Sequence, residues 1–271
     1  MQKTILITGA SKGFGRVWTE AFLEQGYQVA ASARNVERLN DLKDKFGHAI
    51  FPIQLDVTNR TQSFEVVKDV KDHFGSIDVL INNAGLTMFG AIEEFSEEEA
   101  KAQFETNFFG LLNVTQAVLP IMREQKNGHI IQVSSILGLV TLPVLGLYNA
   151  TKFAVEGLSE TLASEVAGFG INISIVEPNG YETDIWAGTS AKKQIEAYNP
   201  VKKAFQESAS PDSYGKIEAT KEAMLNLVES SKPPLRLLLG KVGLPFVKQV
   251  YEQRMAGWTD WKEVSETAHG K

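Results

Sequence analysis

Ser135, Tyr148 and Lys152 are the side chains of this sequence best suited to move a proton. Tyr148 and Lys152 are four residues apart, so a helix over Leu147 to Gly168 projects both from one face. A free phenol ionises near pH 10. An ammonium about 5 Å away, at an effective dielectric of about 20, favours the phenolate by roughly 3 kcal/mol. That is about two pKa units, which brings the phenol toward general acid/base work at neutral pH. Ser135 lies thirteen residues earlier, after the apolar run His129 to Val133. A loop carrying Gly138, Pro143 and Gly146 returns the chain, so that both hydroxyls reach one carbonyl oxygen. The spacing alone also fits a surface pair, and Tyr198 and Lys202 repeat it. Pro200 disfavours a helix at that second pair, and no strand ending in Ser precedes it, so Tyr148 is the candidate. Ser134 reads equally well as a cap.

The elements around these residues must place them at a ligand. His129 to Val133 reads as a buried strand, and open α/β sheets bind at the carboxyl ends of their strands. The first unit is strand Ile5 to Ile7, then Thr8-Gly9-Ala10-Ser11-Lys12-Gly13-Phe14-Gly15, then a helix over Arg16 to Gln25. Glycines permit close backbone approach and a helix start presents unpaired N–H groups, which makes an anion site. The spacing is neither G-x-G-x-x-G nor a P-loop. Strand Gln28 to Ala33 ends at Arg34 rather than at a carboxylate, which suits the 2′-phosphate of NADP over the 2′-hydroxyl of NAD. Lys12 is a second cation for that phosphate. A solvated Arg34 beside an Asn35 cap for a helix over Val36 to Phe46 is the other reading.

Strand Ala49 to Leu55 closes at Asp56-Val57, where Asp56 serves either an adenine amino group or a turn. After a helix over Thr61 to Phe74, strand Val79 to Ile81 runs into Asn82-Asn83-Ala84-Gly85, amides and a glycine placed to lie against a ligand. Ser96 and its three following glutamates form a helix cap. Asn107, among Phe104, Phe108 and Phe109, needs partners and obtains them by locally opening its helix. Strand Asn172 to Val176 stops at Glu177-Pro178-Asn179-Gly180. Tyr181 to Ser213 is polar and broken by Gly188, Pro200 and Pro211, with Ile185, Trp186, Ile195, Tyr198 and Phe205 as isolated apolar groups. This reads as a lid. A helix over Ile217 to Ser230, a strand over Leu235 to Leu239 and an amphipathic tail from Pro245 follow.

Composition excludes several classes. The 271 residues suit one large domain, 43% hydrophobic, with a net charge of −6 that gives no electrostatic case for nucleic acid or an anionic membrane. There is no cysteine, so thiolate catalysis and cysteine-held zinc are excluded. The four histidines are scattered, which argues against a metal site or a histidine triad. No signal organisation or membrane-length apolar run is present, so the expected location is cytoplasmic.

Thr8 to Gly15, Asn82 to Gly85, Asn107, Ser135, Tyr148 and Lys152, in that order, resemble the short-chain dehydrogenase/reductases, in detail over residues 3 to 185 and loosely at 235 to 240. The resemblance implies Tyr148 as proton donor and acceptor, Lys152 on the nicotinamide ribose, Ser135 on the substrate oxygen, and Asn107 positioning a relay water. It implies cofactor contacts at Gly9, Ser11, Lys12, Gly13, Phe14, Gly15, Arg34, Asp56, Val57, Asn83, Ala84, Gly85, Tyr148, Lys152, Pro178, Asn179, Gly180 and Thr183. Asn179 stands where the family usually has glycine, and asparagine tolerates positive φ.

The expectation is a single doubly wound, Rossmann-type α/β domain with a parallel sheet flanked by helices, a lid at about 185–213 and a C-terminal helical extension at about 245–266. Its activity would be NADP(H)-dependent hydride transfer between nicotinamide and a carbonyl or secondary alcohol, without a metal. By resemblance it would form a homodimer or homotetramer. A silent NADP(H)-binding sensor or scaffold is the alternative, and it predicts a damaged proton-transfer set. An epimerase or dehydratase using the same Tyr and Lys fits the chain length and glycine spacing less well.

Overall fold

A computed structural model of the chain describes residues 2–183, 188–208 and 214–270. In chain order the elements are β1 (Thr4–Ile7), α1 (Gly13–Glu24), β2 (Gln28–Ala33), α2 (Asn40–Phe46), β3 (Ile50–Gln54), α3 (Arg60–Phe74), β4 (Val79–Asn82), β5 (Met88–Phe89), α4 (Glu97–Phe104), α5 (Leu111–Gln125), β6 (Gly128–Val133), α6 (Gly146–Val166), β7 (Ile171–Pro178), β8 (Thr189–Ser190), α7 (Asn199–Ser208), α8 (Lys221–Glu229), β9 (Arg236–Leu239), α9 (Gly243–Asp260) and α10 (Lys262–Thr267). Seven strands form one parallel sheet in the order β3-β2-β1-β4-β6-β7-β9. This is a Rossmann-like α/β fold.

Strand side chains alternate between the faces, and both faces are buried, so the strands read as continuous apolar runs. Ile5 and Ile7 enter one core with Val17, Trp18 and Phe22 of α1 and Met224 and Leu227 of α8. Leu6, between them, enters the opposite core with Val66 and Val70 of α3, Val114 and Val118 of α5, and Leu162 of α6. The chain crosses from one side of β1 to the other between β3 and β4, which opens a crevice at the carboxyl ends of β1 and β4.

Two departures from the sequence reading have local causes. Pro200 does not prevent a helix: it is the second residue of α7, in the first turn, where a missing N–H takes nothing from the helix. The segment expected as an irregular lid contains β8, paired in parallel with β5, and then α7. Of its apolar groups, Ile185 and Trp186 lie outside the described residues.

Candidate active site

The glycine turn is fastened to the end of β4. The Thr8 hydroxyl accepts from the backbone N–H groups of Asn83 and Ala84, each at 3.0 Å. Asn83 Nδ2 donates to the carbonyls of Thr8 and Gly9, at 3.0 and 3.2 Å. Gly9 has φ +68°, and a Cβ there would lie 2.9 Å from Ala84 Cα. A Cβ on Gly15 would lie 2.4 Å from the Gly9 carbonyl oxygen. Glycine is thus required at both positions, at Gly9 for conformation and at Gly15 for space. Asn82 is buried in β4, and its Nδ2 donates to Thr115 Oγ1 and Gln132 Oε1, both at 2.9 Å, tying β4 to α5 and β6.

From this turn a groove of about 670 Å³ crosses the carboxyl ends of the strands. Its walls include Gly9, Ser11, Lys12, Gly13 and Phe14, then Arg34, Asp56 and Val57, then Asn83, Ala84, Gly85 and Thr183. Gly15 lies behind, packed on Gly9. Asp56 serves the turn as well as the wall, since its Oδ1 accepts from the N–H and the hydroxyl of Thr58. Asn35 caps the following helical turn by accepting from Glu37 N–H, so Arg34 and its neighbour have separate tasks. Arg38 also lines the groove, although its position inside a helical stretch gave no sequence signal. Charge and backbone amides at one end with apolar walls beyond fit a dinucleotide.

The groove meets a second cavity of about 130 Å³ lined by Ser135, Tyr148, Lys152, Pro178, Asn179 and Gly180. Phe14, Asn83, Gly85 and Thr183 border both spaces. Ser135, at the end of β6, accepts from Leu137 N–H at 3.1 Å and donates to the Pro178 carbonyl at 3.4 Å. Tyr148 is buried, and the hydroxyls of Ser135 and Thr87 stand close enough to its phenol to act on its acidity. Thr87 escaped the sequence reading; lying two residues beyond the Asn-Asn-Ala-Gly run is its only signal.

The expected electrostatics are not what the geometry provides. Burial dominates and pushes the Tyr148 phenol up to about 12, against a smaller lowering by Ser135 and Thr87. Lys152 Nζ lies 5.5 Å from the centre of the Tyr148 ring and donates to the Val133 carbonyl at 2.8 Å. Burial brings Lys152 down to about 8, opposed by Glu156 one turn further along α6. The phenol therefore stays protonated at neutral pH, and the ammonium above its ring is mostly charged.

Asn107 is fully engaged. Its Oδ1 accepts from Leu86 N–H, and its Nδ2 donates to the Leu86 carbonyl and to Thr151 Oγ1, at 2.9, 2.9 and 3.1 Å. The helix opens around it into a π-helical stretch, Glu105–Gly110, as a buried amide with backbone partners requires. Asn107 therefore braces the backbone beside Thr87 and the residue preceding Lys152. Asn179 does not adopt positive φ, because among the described residues only Lys126 and Val144 do so without being glycine. The turn needs no glycine there. Gly240 carries φ +100° instead, and a Cβ on it would lie 1.6 Å from Asn179 Oδ1.

Behind Lys152, Arg236 of β9 reaches Glu156 and Glu177, at 3.3 Å each. Burial, with Glu156 close by, pushes the Glu177 carboxyl well above the usual carboxylate range, against the Arg236 guanidinium. The second Tyr/Lys pair is structural: the Tyr198 hydroxyl donates to Glu93, and Lys202 pairs with buried Glu94 at 2.5 Å.

A parallel sheet with a glycine-turn groove at its switch point and a Ser/Tyr/Lys set at the groove's inner end defines a nucleotide-binding α/β oxidoreductase. The chain belongs to the short-chain dehydrogenase family, whose profile, described as short chain dehydrogenase, matches residues 3–194. Oxidoreductase BOA17 of Botryotinia fuckeliana is 41% identical over 271 residues, covering 98% of both chains. A short-chain dehydrogenase from Streptomyces avermitilis superposes with a TM-score of 0.89 at 37% identity, covering 98% of both chains. An alcohol dehydrogenase from Thermococcus sibiricus, complexed with 5-hydroxy-NADP, has a TM-score of 0.76 at 27% identity, covering 90% of this chain and 98% of that one. Among the described residues no helix is long and apolar enough to cross a membrane.

Proposed function

We propose that this protein is an NADP(H)-dependent reductase of carbonyl compounds, acting in reverse on secondary alcohols, with Tyr148 as proton donor and acceptor. The observation that carries this reading is the Tyr148 phenol, set against Ser135 and Thr87 where the nucleotide groove ends. The dinucleotide, when bound, supplies the hydride that becomes the new C–H bond. Gly9, Ser11, Gly13 and Phe14 would hold its phosphates, and Lys12 and Arg34 its 2′-phosphate. Asp56 and Val57 would face the adenine, with Asn83, Ala84 and Gly85 along its length. Pro178, Asn179, Gly180 and Thr183 would meet the nicotinamide end, with Lys152 on the ribose.

Ser135 and Tyr148 hold the carbonyl oxygen. As the C=O electron pair moves onto that oxygen, the oxygen takes the phenolic proton, and the adjacent Lys152 ammonium stabilises the phenolate left behind. Burial keeps Tyr148 in the protonated form from which it can donate. Asn107 acts by positioning, through Leu86 and Thr151, and any relay water it orders would rely on its main chain.

Replacing Tyr148 with Phe is expected to lower kcat for reduction by about 10²–10⁴ while NADPH still binds, measured by nicotinamide absorbance and calorimetry. Unchanged turnover overturns the assignment. We place the protein in the cytoplasm and read it as one catalytic domain with lid and C-terminal extension. Half-exposed Phe109 and Phe153, on the π-helical stretch before α5 and on α6, support pairing of subunits there, which sedimentation measures.

A further inference from the structure

The side of Lys152 turned away from the groove holds a group of buried charges that the reaction above does not use. Lys152 opens on the cavity at Tyr148, which no carboxylate among the described residues lines, and its hydrogen bond goes to the neutral Val133 carbonyl. Two buried acids lie behind it: Glu156, one turn further along α6, and Glu177 on β7, directly before Pro178. Lys152 and Glu156 are four residues apart and so share a helix face. Arg236 of β9 backs both acids, its Nε 3.3 Å from an oxygen of each, while its Nη2 lies 3.1 Å from the exposed Glu160.

One Nε–H cannot serve two carboxylates, and two buried carboxylates beside a single guanidinium do not ionise equally. Burial raises both carboxyls; on Glu156 the Ser134 hydroxyl and Arg236 oppose it, whereas on Glu177 the Glu156 charge adds to it. The fold also keeps room for the Glu156 side chain. A Cβ on Gly138 would lie 2.8 Å from Glu156 Cγ and 2.7 Å from Ser134 Oγ. Gly138 has no positive φ, so what a Cβ would contest there is the volume of those two side chains. The other elements packed around Lys152 bring it no further charge. The end of β6 offers the hydroxyls of Ser134 and Ser135, the cavity wall adds the phenols of Tyr148 and Tyr181, and Glu99 of α4 is turned to the Ser96 and Lys192 N–H groups.

Resting on the Tyr148 and Lys152 reading above, we propose that Glu156 is a positioning residue of the reaction: a buried anion, backed by Arg236 and Glu177, that keeps the Lys152 ammonium charged beside the Tyr148 ring. Its effect passes through Lys152 to the phenolate that forms as Tyr148 gives up its proton. Burial still outweighs Glu156, because Lys152 comes down to about 8 with the acid in place. Without that charge it should come down further.

The experiment replaces Glu156 with Gln, which keeps the shape and removes the charge. In the cofactor-free protein, the ¹³C-labelled lysine resonance that Lys152→Met abolishes should titrate about one pH unit lower in Glu156→Gln than in the native chain. For reduction of benzaldehyde by NADPH, the alkaline limb of kcat/KM should move down with it, while NADPH affinity stays within about twofold of native. Glu156→Asp, which keeps the charge, should return resonance and limb most of the way. Glu160→Gln, which meets the same Arg236 from the solvent side, should leave both in place. Glu156→Met is the substitute should Glu156→Gln misfold. A Lys152 resonance that titrates as in the native chain overturns the proposal whatever the turnover, as does an equal shift in Glu160→Gln. These results are separable from failure of the site itself, which would appear as full turnover by Tyr148→Phe.

Discussion

The two sides of the cleft are held by different kinds of bond. On the nucleotide side, Thr8 and Asn83 tie the glycine turn to the end of β4 and Asn82 ties β4 to α5 and β6, all through directional side-chain hydrogen bonds, and Gly9 and Gly15 leave no room for another side chain. On the substrate side, α7 and α9 lie on the body through apolar contacts, steadied at their edges by Glu94 with Lys202 and by Arg254 on the Leu139 carbonyl. Directional bonds demand particular residue types at particular positions. Apolar contact demands only shape and volume, and tolerates exchange. A fold can therefore keep its cofactor chemistry while its substrate wall changes.

The sharpest break in this comparison should come from Gly9→Val. It forces a branched residue into positive φ, at about 1–2 kcal/mol, and presses on Ala84 at 2.9 Å, so NADPH affinity should fall more than about a hundredfold in a fluorescence titration. Arg34→Ala should weaken NADPH by about ten- to a hundredfold and leave NADH nearly unchanged, and equal loss for both would remove Arg34 from the phosphate. The Lys152 charge sets the next expectation. With its pKa brought down to about 8, kcat/KM for reduction should fall about tenfold per pH unit above that value, and a flat profile to pH 10 would refute the role.

The same group opposes folding. Its native pKa lies below the ordinary 10.5, so the penalty is present in full below pH 8 and fades as pH rises toward 10.5. Lys152→Met should accordingly melt higher than the native chain at pH 7, with the gap closing by pH 10. On the substrate side the smallest effect is expected from Glu94→Gln, which removes the charge paired with Lys202 and one of the two acceptor oxygens, and should raise KM for the carbonyl substrate while sparing NADPH affinity.

What could be read from residues alone follows the same division. The alternating cores, the glycine turn and the Ser135/Tyr148/Lys152 set were legible because period and spacing carry them. Asn107 was legible because an amide among phenylalanines has few options besides opening its helix. Thr87 and Arg38 were not, since a threonine in a loop and an arginine in a helical stretch are commonplace, and only the fold brings them to the groove. The acidity of the Tyr148 phenol was not legible from spacing, because spacing counts the cation one turn away and not the burial that raises the phenol. The helical lid was missed because Pro200 was weighed as an interior residue when it occupies the first turn.

The contact between Asn179 and Gly240 makes two distant positions co-dependent. An amide at 179 occupies the volume that any side chain at 240 would need, so drift at either site is constrained by the other. Gly240→Ala should be harsher in the native background than beside Asn179→Gly, where only the φ +100° backbone penalty persists. A thermodynamic cycle on the two would show non-additivity across the β7 and β9 ends, tethering the turn at residues 178–180 to the last strand of the sheet.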